Sequence, residues 1–273
     1  MKDMQTLIFD MDDTLVIEKA SAEAALRATC RFANEKVGAN QDNLYNRIRE
    51  SCRSFWHKSP VRYFCLDVGI SSWEGLWASF DGDNKNLRIL ADWAPSYRRN
   101  SWQEALRRCG HEGNEMFAEE LGDRYIRERR KLHVVFDDVV SALEQLKRRH
   151  TLGLLTNGAP DLQRQKLEGS GLADYFDAVI VSGEVGFGKP DTRIFQVILD
   201  RLSATPSSSV MIGNSIKSDI VPALELGMRT IWINRDGKMF EEPVIPSEQI
   251  DNLMQLVEIF EPIAKCDTVN RVP

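Results

Sequence analysis

Leu7-Ile8-Phe9 is an apolar run without polar alternation, and it breaks directly into Asp10-Met11-Asp12-Asp13-Thr14-Leu15. A strand with no alternation is expected to be buried on both faces, as in a parallel sheet. Open α/β sheets bind ligands outside the carboxyl ends of their strands, and Asp10 stands at such an end. In extended backbone Asp10 and Asp12 project to the same side, because a strand repeats every two residues. Two crowded carboxylates are costly unless a cation or a shared proton offsets their repulsion. A polyvalent metal, a carboxylate nucleophile and an acid/base partner are therefore all open from six residues, as is a plain helix N-cap of Asp and Thr.

The 273 residues suffice for one large domain or two modest ones. A formal net charge of -6 gives no basic footprint, so nucleic acid is not an expected partner. Apolar residues make up 42% and charged residues 28%, which favours neither disorder nor a membrane class. Apolar runs all fall short of the length a membrane span needs, and the first residues show no signal-peptide pattern. Cys30, Cys52, Cys65, Cys109 and Cys266 are odd in number and lie at no metal-ligand spacing. They read as reduced packing thiols in a cytoplasmic protein. His57, His111, His133 and His150 form no cluster, so zinc is not expected.

After Leu15 helical spacing takes over for more than a hundred residues. Helices are expected over Ser21–Val37, Asp42–Trp56 with Asp42 as cap, Trp73–Phe80, Leu87–Trp93, Trp102–Cys109 and Glu115–Leu132. In the last of these, Arg124, Arg127, Arg129 and Arg130 read as a solvated face. Trp56, Trp73, Trp77, Trp93 and Trp102 fall in this region and read mostly as core. Asp81-Gly82-Asp83-Asn84 lacks the Glu of a calcium loop and reads as a polar turn.

From Asp137 onward strands alternate with single helices. Strands are expected at Leu152–Leu155, Ala178–Val181, Val210–Ile212 and Thr230–Ile233, and helices at Val139–Arg149, Leu162–Ser170, Thr192–Leu202 and Lys217–Leu226. This pattern implies right-handed crossovers and a parallel sheet. The N-terminal strand has no partner nearby, so it should join the later sheet. The helical region is then an insertion after the first strand, a lid over its carboxyl end.

Polar stations recur at the predicted strand ends: Asp10 with Asp12, Thr156 with Asn157, Lys189, and Asn214 with Asp219. Each alone is a turn, a loop lysine or a cap; together they converge on one crevice. The set fits phosphoryl transfer. A phosphate dianion repels an attacking carboxylate, so a cation must stand between them. A hydroxyl, backbone amides and a lysine can hold the phosphoryl oxygens. A second acid must protonate the departing alkoxide.

At these residues the chain resembles the haloacid dehalogenase superfamily, in particular its phosphatases with a helical cap inserted after the first strand. The matching motifs are Asp10-Met11-Asp12-Asp13-Thr14, Thr156-Asn157, Lys189 within Gly186-Phe187-Gly188-Lys189-Pro190-Asp191, and Gly213-Asn214-Ser215 with Asp219. The resemblance implies an α/β fold, with a Rossmann-like parallel-sheet core over 1–16 and 134–273 and an all-helical cap domain over 17–133. It implies that Asp10 attacks phosphorus and that Asp12 protonates the leaving oxygen, then takes a proton from water. Thr156 and the Asn157 amide would hold phosphoryl oxygens, and Lys189 would neutralise Asp10 and the phosphate. Mg²⁺ would be held by the Asp10 carboxylate, the Asp12 main-chain carbonyl and the fourth motif, here Asn214 and Asp219. Asp13 occupies a variable position and reads as a local cap.

One departure stands out: similar phosphatases usually carry Gly-Asp where this chain has Gly213-Asn214. Asparagine offers a neutral carbonyl oxygen, which predicts weaker metal binding. The expected function is Mg²⁺-dependent hydrolysis of a small phosphomonoester, of sugar phosphate or nucleotide type, through an aspartyl-phosphate. The alternatives are a 2-haloacid dehalogenase, whose departing halide needs neither Asp12 nor a dication, and a catalytically silent phosphate- or partner-binding protein. Oligomeric state is not legible.

Overall fold

A computed structural model describes residues 4–112, 114–237, 239 and 245–260. Cys266 and residues 261–273 of the expected core lie outside these. Among the described residues six strands form one fully parallel sheet: β1 (Thr6–Phe9), β2 (Thr151–Thr156), β3 (Ala178–Val181), β4 (Ser209–Gly213), β5 (Arg229–Ile233) and β6 (Glu248–Ile250), in the order β3-β2-β1-β4-β5-β6. β1 lies at the centre, with Phe9 beside Leu154 on one side and Ile212 on the other. Its side chains divide between the faces: Leu7 and Phe9 pack with α7 (Val139–Leu146) and α12 (Leu253–Phe260), Ile8 with α10 (Thr192–Arg201). Both faces are buried, which is why these strands show no alternation. β6 and α12 were not expected; β6 is three residues long and too short to register as a periodic pattern.

Between β1 and α7 the described chain is helical: α1 (Glu18–Val37), α2 (Gln41–Trp56), α3 (Arg62–Asp67), α4 (Ser72–Gly75), α5 (Lys85–Arg108) and α6 (Glu115–Arg129). The chain leaves and returns along adjacent connections, since Val16 bridges Val135 in antiparallel fashion and the Ile17 amide donates to Val134 O.

Several expectations require correction. The two helices expected on either side of Pro95 are one helix, α5, with Pro95 inside it. Proline there forfeits a backbone bond, but burial of Ala94, Tyr97, Ser101 and Trp102 carries the helix through, and the Tyr97 hydroxyl donates to Ser72 O at 2.8 Å. The helix expected over Trp73–Phe80 stops after Gly75, and Phe80 adopts a positive φ of 61°. α2 is capped by Asn40, which accepts from the Asn43 amide, and not by Asp42. Arg129 is not solvated. It is fully buried, lies 4.5 Å from the centre of the Trp77 ring and donates to both Glu18 oxygens at 2.7 and 2.8 Å. The expected helix over Lys217–Leu226 begins as a five-residue π-turn at Ile216–Ile220 and becomes α-helical only in α11 (Val221–Glu225).

Trp56, Trp77 and Trp102 are buried core, as expected, while Trp73 and Trp93 are half-buried. Cys30, Cys52, Cys65 and Cys109 are free thiols. Among the described residues no helix is long and apolar enough to cross a membrane.

Candidate active site

Asp10 follows β1 directly, and its amide is held by Ile212 O at the end of β4 at 2.9 Å. The chain then turns tightly, with the Leu15 and Val16 amides donating to Met11 O. Asp13 sits within this turn at φ 57°, a conformation aspartate tolerates better than most residues. Its Oδ1 accepts from the Glu18 and Lys19 amides at 3.0 and 3.1 Å. Asp13 thus satisfies two free N–H groups at the start of α1, as a local cap would.

Lys189 joins two motifs. Its Nζ lies 2.7 Å from Asp10 Oδ1 and 2.7 Å from Asp219 Oδ1, and all three side chains are buried. The remaining Asp10 oxygen accepts from Thr14 Oγ1 at 2.9 Å, and the same hydroxyl accepts from the Asn214 amide at 3.1 Å. Asp219 Oδ2 accepts from the Ser215 amide at 3.0 Å. The π-turn folds Asp219 back over Gly213 so closely that a Cβ on Gly213 would lie 2.3 Å from Asp219 Oδ2. Only glycine fits there.

Two buried carboxylates thus share one ammonium. Burial pushes the Asp10 carboxyl up to about 7, with Lys189 opposing and Asp219 adding to the rise. Burial also works against the charge on Lys189, but Asp10 and Asp219 overcome it and hold the lysine above its ordinary value.

Asp12 is engaged elsewhere. Both its oxygens lie 2.8 Å from Nζ of Lys166, a buried residue of α8 (Pro160–Gly169), and Oδ2 also accepts from Gln163 Nε2 at 3.0 Å. The two acids therefore do not rely on one shared cation; each has its own buried lysine. Lys166 also reaches Glu18 at 3.4 Å, and Glu18 is clasped by Arg129. Burial opposes the charge on Glu18, yet Lys166 and Arg129 hold its carboxyl below the usual range.

Thr156 ends β2 with its hydroxyl accepting from Gln163 Nε2 at 2.9 Å. The Asn157 side chain locks the lysine loop: Nδ2 donates to Lys189 O at 2.7 Å, and Oδ1 accepts from the Lys189 amide at 2.8 Å. Asn214 has its main chain occupied, the carbonyl accepting from Trp232 Nε1 at 3.0 Å. Among the described residues its side-chain amide makes no hydrogen bond and so is free to meet a ligand.

The helical segment is seated on the loops that carry these groups. Asp67 O accepts from the Gly188 amide at 2.8 Å, and Val68 O accepts from the Ser182 hydroxyl. Asp161 accepts from the Ser79 and Phe80 amides. Glu74 is buried, accepting from the Ser71 amide at 2.8 Å and the Ala159 amide at 3.0 Å. Burial pushes its carboxyl up to about 7, against Lys166 and both amides.

The structure thus brings Asp10, Lys189 and Asp219 into direct contact. Asp12 and Thr156 meet through Gln163, and Asn214 joins the site through its main chain. Among the described residues no three His, Cys, Asp or Glu side chains converge on one point. A cation at Asp10 would have two carboxylates, with neutral oxygens of carbonyl groups and water completing its shell. Such an oxygen-only set suits Mg²⁺, which binds through one or two carboxylates and otherwise neutral oxygen. The one-ammonium deficit at Asp10 and Asp219 fits a further positive charge.

Lys166, Gln163, Glu18, Arg129 and Glu74 were not foreseen. A signal existed for the two cations. Lys166 lies four residues after Leu162 on the buried face of α8, and Arg129 four after Tyr125 on that of α6. A cation on an apolar stripe is buried and therefore paired.

Comparison with known proteins gives the family. The sequence profile of the haloacid dehalogenase-like hydrolases matches residues 4–227. The chain belongs to that family. It is 33% identical over 254 residues to the phosphoserine phosphatase of Thermus thermophilus, covering 93% of this chain and 98% of that one. Among solved structures, the magnesium-bound HAD-hydrolase YfnB of Bacillus subtilis superposes with a TM-score of 0.65 at 23% identity, over 95% of this chain and 100% of that one. A 2-haloacid dehalogenase from Pseudomonas syringae superposes with a TM-score of 0.61 at 26% identity, over 94% and 98%. The α/β fold is that of the family, and the protein is a hydrolase.

Proposed function

We propose that the protein is a cytoplasmic, Mg²⁺-dependent phosphatase acting on a small phosphomonoester of sugar phosphate or nucleotide type. Residues 1–16 and 134–273 act as the Rossmann-like core and residues 17–133 as a cap domain. The observation that carries this reading is the Asp10–Lys189–Asp219 contact, two buried carboxylates sharing one ammonium at the carboxyl edge of a parallel sheet. The phosphatase relative of nearly equal length supports it.

Asp10 attacks phosphorus: a bond forms between its oxygen and phosphorus as the ester oxygen departs with the bonding pair. Asp12 gives that oxygen a proton. Asp12 then accepts a proton from the water that attacks the phosphorus of the aspartyl-phosphate, returning to the carboxylate that Lys166 and Gln163 hold. Thr156 and the Asn157 amide bind phosphoryl oxygens, and Lys189 orders Asp10. Asp10, Asp219, the Asn214 amide oxygen and the Asp12 carbonyl would hold Mg²⁺, which would supply charge to offset repulsion between Asp10 and the phosphate. The helical segment, fixed to the loops at Ser182, Gly188 and Asp161, excludes water from the chemistry.

Asp12 weighs against dehalogenation, since a departing halide needs no proton. The test is p-nitrophenyl phosphate hydrolysis with and without Mg²⁺. Turnover stimulated by Mg²⁺ and lost in Asp10→Asn is expected; undiminished turnover in that variant would contradict the assignment.

A further inference from the structure

The turn that carries Thr156 and Asn157 is fastened to the helical segment as well as to the sheet. Its Ala159 amide donates to Glu74 Oε1 at 3.0 Å. Its Gly158 amide donates at 2.9 Å to the Ser182 hydroxyl, which in turn donates to Val68 O. The lysine loop is held in the same way, with the Gly188 amide on Asp67 O at 2.8 Å. Acceptors between Asp67 and Glu74 therefore hold the two loops assigned to the phosphoryl group and its lysine. Those of Asp67 and Val68 are backbone carbonyls, whereas Glu74 can change its charge.

Glu74 reaches the turn because residue 158 is glycine. A Cβ on Gly158 would strike both Glu74 Oε1 and Gln163 Nε2, and its φ of 138° suits glycine alone. Gln163 is the amide that also donates to Asp12, the Thr156 hydroxyl and Asn157 O. An acid of the helical segment thus meets, across one glycine, the side chain that organises the phosphate turn. No step of the chemistry above uses that acid.

Glu74 is buried, and among the described residues it forms no ion pair. Lys166 attracts it from α8, but that ammonium is committed to Asp12 and Glu18. Asp12 repels it from the loop after β1. The Cys65 thiol faces it from α3 without charge, pushed up to about 11 by burial. An ionised carboxylate buried without its own cation is costly, and lifting the segment from the turn rehydrates it. We propose that Glu74 is a positioning residue that makes oxyanion binding depend on a proton: with its carboxyl neutral the helical segment stays seated and holds the turn at 156–159, and with it ionised the segment lifts and oxyanion affinity falls. This rests on the phosphatase reading and deepens it, since that reading binds the phosphoryl group at this turn.

The test titrates tungstate into the full chain with Mg²⁺ by calorimetry. Tungstate is a tetrahedral dianion whose charge is constant between about pH 6 and pH 9, the window that brackets a carboxyl raised to near neutrality. Groups other than Glu74 titrate alike in wild type and Glu74→Gln, so their comparison isolates this residue. Relative to Glu74→Gln, wild-type affinity should fall roughly tenfold from the acid to the alkaline end. Glu74→Ala removes the acceptor and should bind about tenfold more weakly than wild type at the acid end, with Glu74→Gln restoring most of the loss. KM for p-nitrophenyl phosphate should follow the same ratios, and kcat should change less. Parallel pH profiles in wild type and Glu74→Gln overturn the proposal, as does wild-type affinity in Glu74→Ala or an absence of tungstate binding at every pH. If Glu74→Ala does not fold, the first comparison decides alone. Absence of p-nitrophenyl phosphate turnover in the wild-type protein would instead overturn the phosphatase reading. The tungstate titration reads the coupling without turnover, so the two failures are distinct.

Discussion

Replacing Lys166 with methionine tests whether Asp12 is held by a buried cation. The side chain is 1% exposed, its Nζ is 2.8 Å from both Asp12 oxygens, and Glu18 is 3.4 Å away. Removing one partner of a buried pair costs about 3–5 kcal/mol, because the other charge is left uncompensated. That figure falls here for two reasons: the Asp12 side chain is 29% exposed, and Glu18 keeps Arg129. A loss of about 2–4 kcal/mol is therefore expected. For a chain of this size it lowers the melting temperature by roughly 5–15 °C. Methionine preserves much of the volume, so the loss reports charge more than packing. Thermal melts of wild type, Lys166→Met, Asp12→Asn and the double variant complete a cycle. The coupling between the two sites should be about 1–3 kcal/mol. A Lys166→Met melt indistinguishable from wild type, or strictly additive effects, would refute the pairing. Turnover should fall as well, since an unheld Asp12 leaves its station.

Gly213→Ala places a Cβ 2.3 Å from Asp219 Oδ2, so Asp219 must leave Lys189. A stability loss of about 1–3 kcal/mol and near-complete loss of turnover are expected, read by melting and by p-nitrophenyl phosphate hydrolysis; full activity would place Asp219 outside the site. Glu74 has its carboxyl raised from 4.5 to about 7 by burial. Its contribution to stability is present below the ordinary carboxylate value and lost as pH rises through the raised one. Glu74→Gln should therefore gain on wild type by up to about 3 kcal/mol between roughly pH 5 and 8 in urea denaturation, and a pH-independent difference would argue against a buried, raised carboxyl. Asn214→Asp adds a negative charge where the side-chain amide is free, and should tighten Mg²⁺ roughly tenfold by calorimetric titration. An unchanged affinity would place that side chain away from the ion.

The sheet was legible because burial on both faces leaves an unbroken apolar run, as in Leu7-Ile8-Phe9, and because each such run ends in a polar station. Convergence of Asp10, Lys189 and Asp219 was equally readable, since parallel strands bring their carboxyl ends together. Helix limits were less so. Pro95 reads as a stop in sequence, but packing around Tyr97 and Trp102 outweighs one lost backbone bond. The supporting network around Asp12 was hidden for a different reason. Gln163, Lys166, Glu18 and Arg129 lie on three separate helices, and their pairing depends on how those helices dock. Arg129 among neighbouring arginines resembles any solvated face until the stripe through Leu121 and Tyr125 is followed to its end. Asn157 was placed at the right loop, yet its side chain serves the Lys189 backbone.

The central claim is that Asp10 becomes phosphorylated during turnover. Wild-type protein mixed with a phosphomonoester and Mg²⁺, quenched in acid within milliseconds and digested, should show one added phosphoryl group on the peptide containing Asp10, and none in Asp10→Asn. An adduct on any other residue, or turnover in Asp10→Asn equal to wild type, would contradict the account.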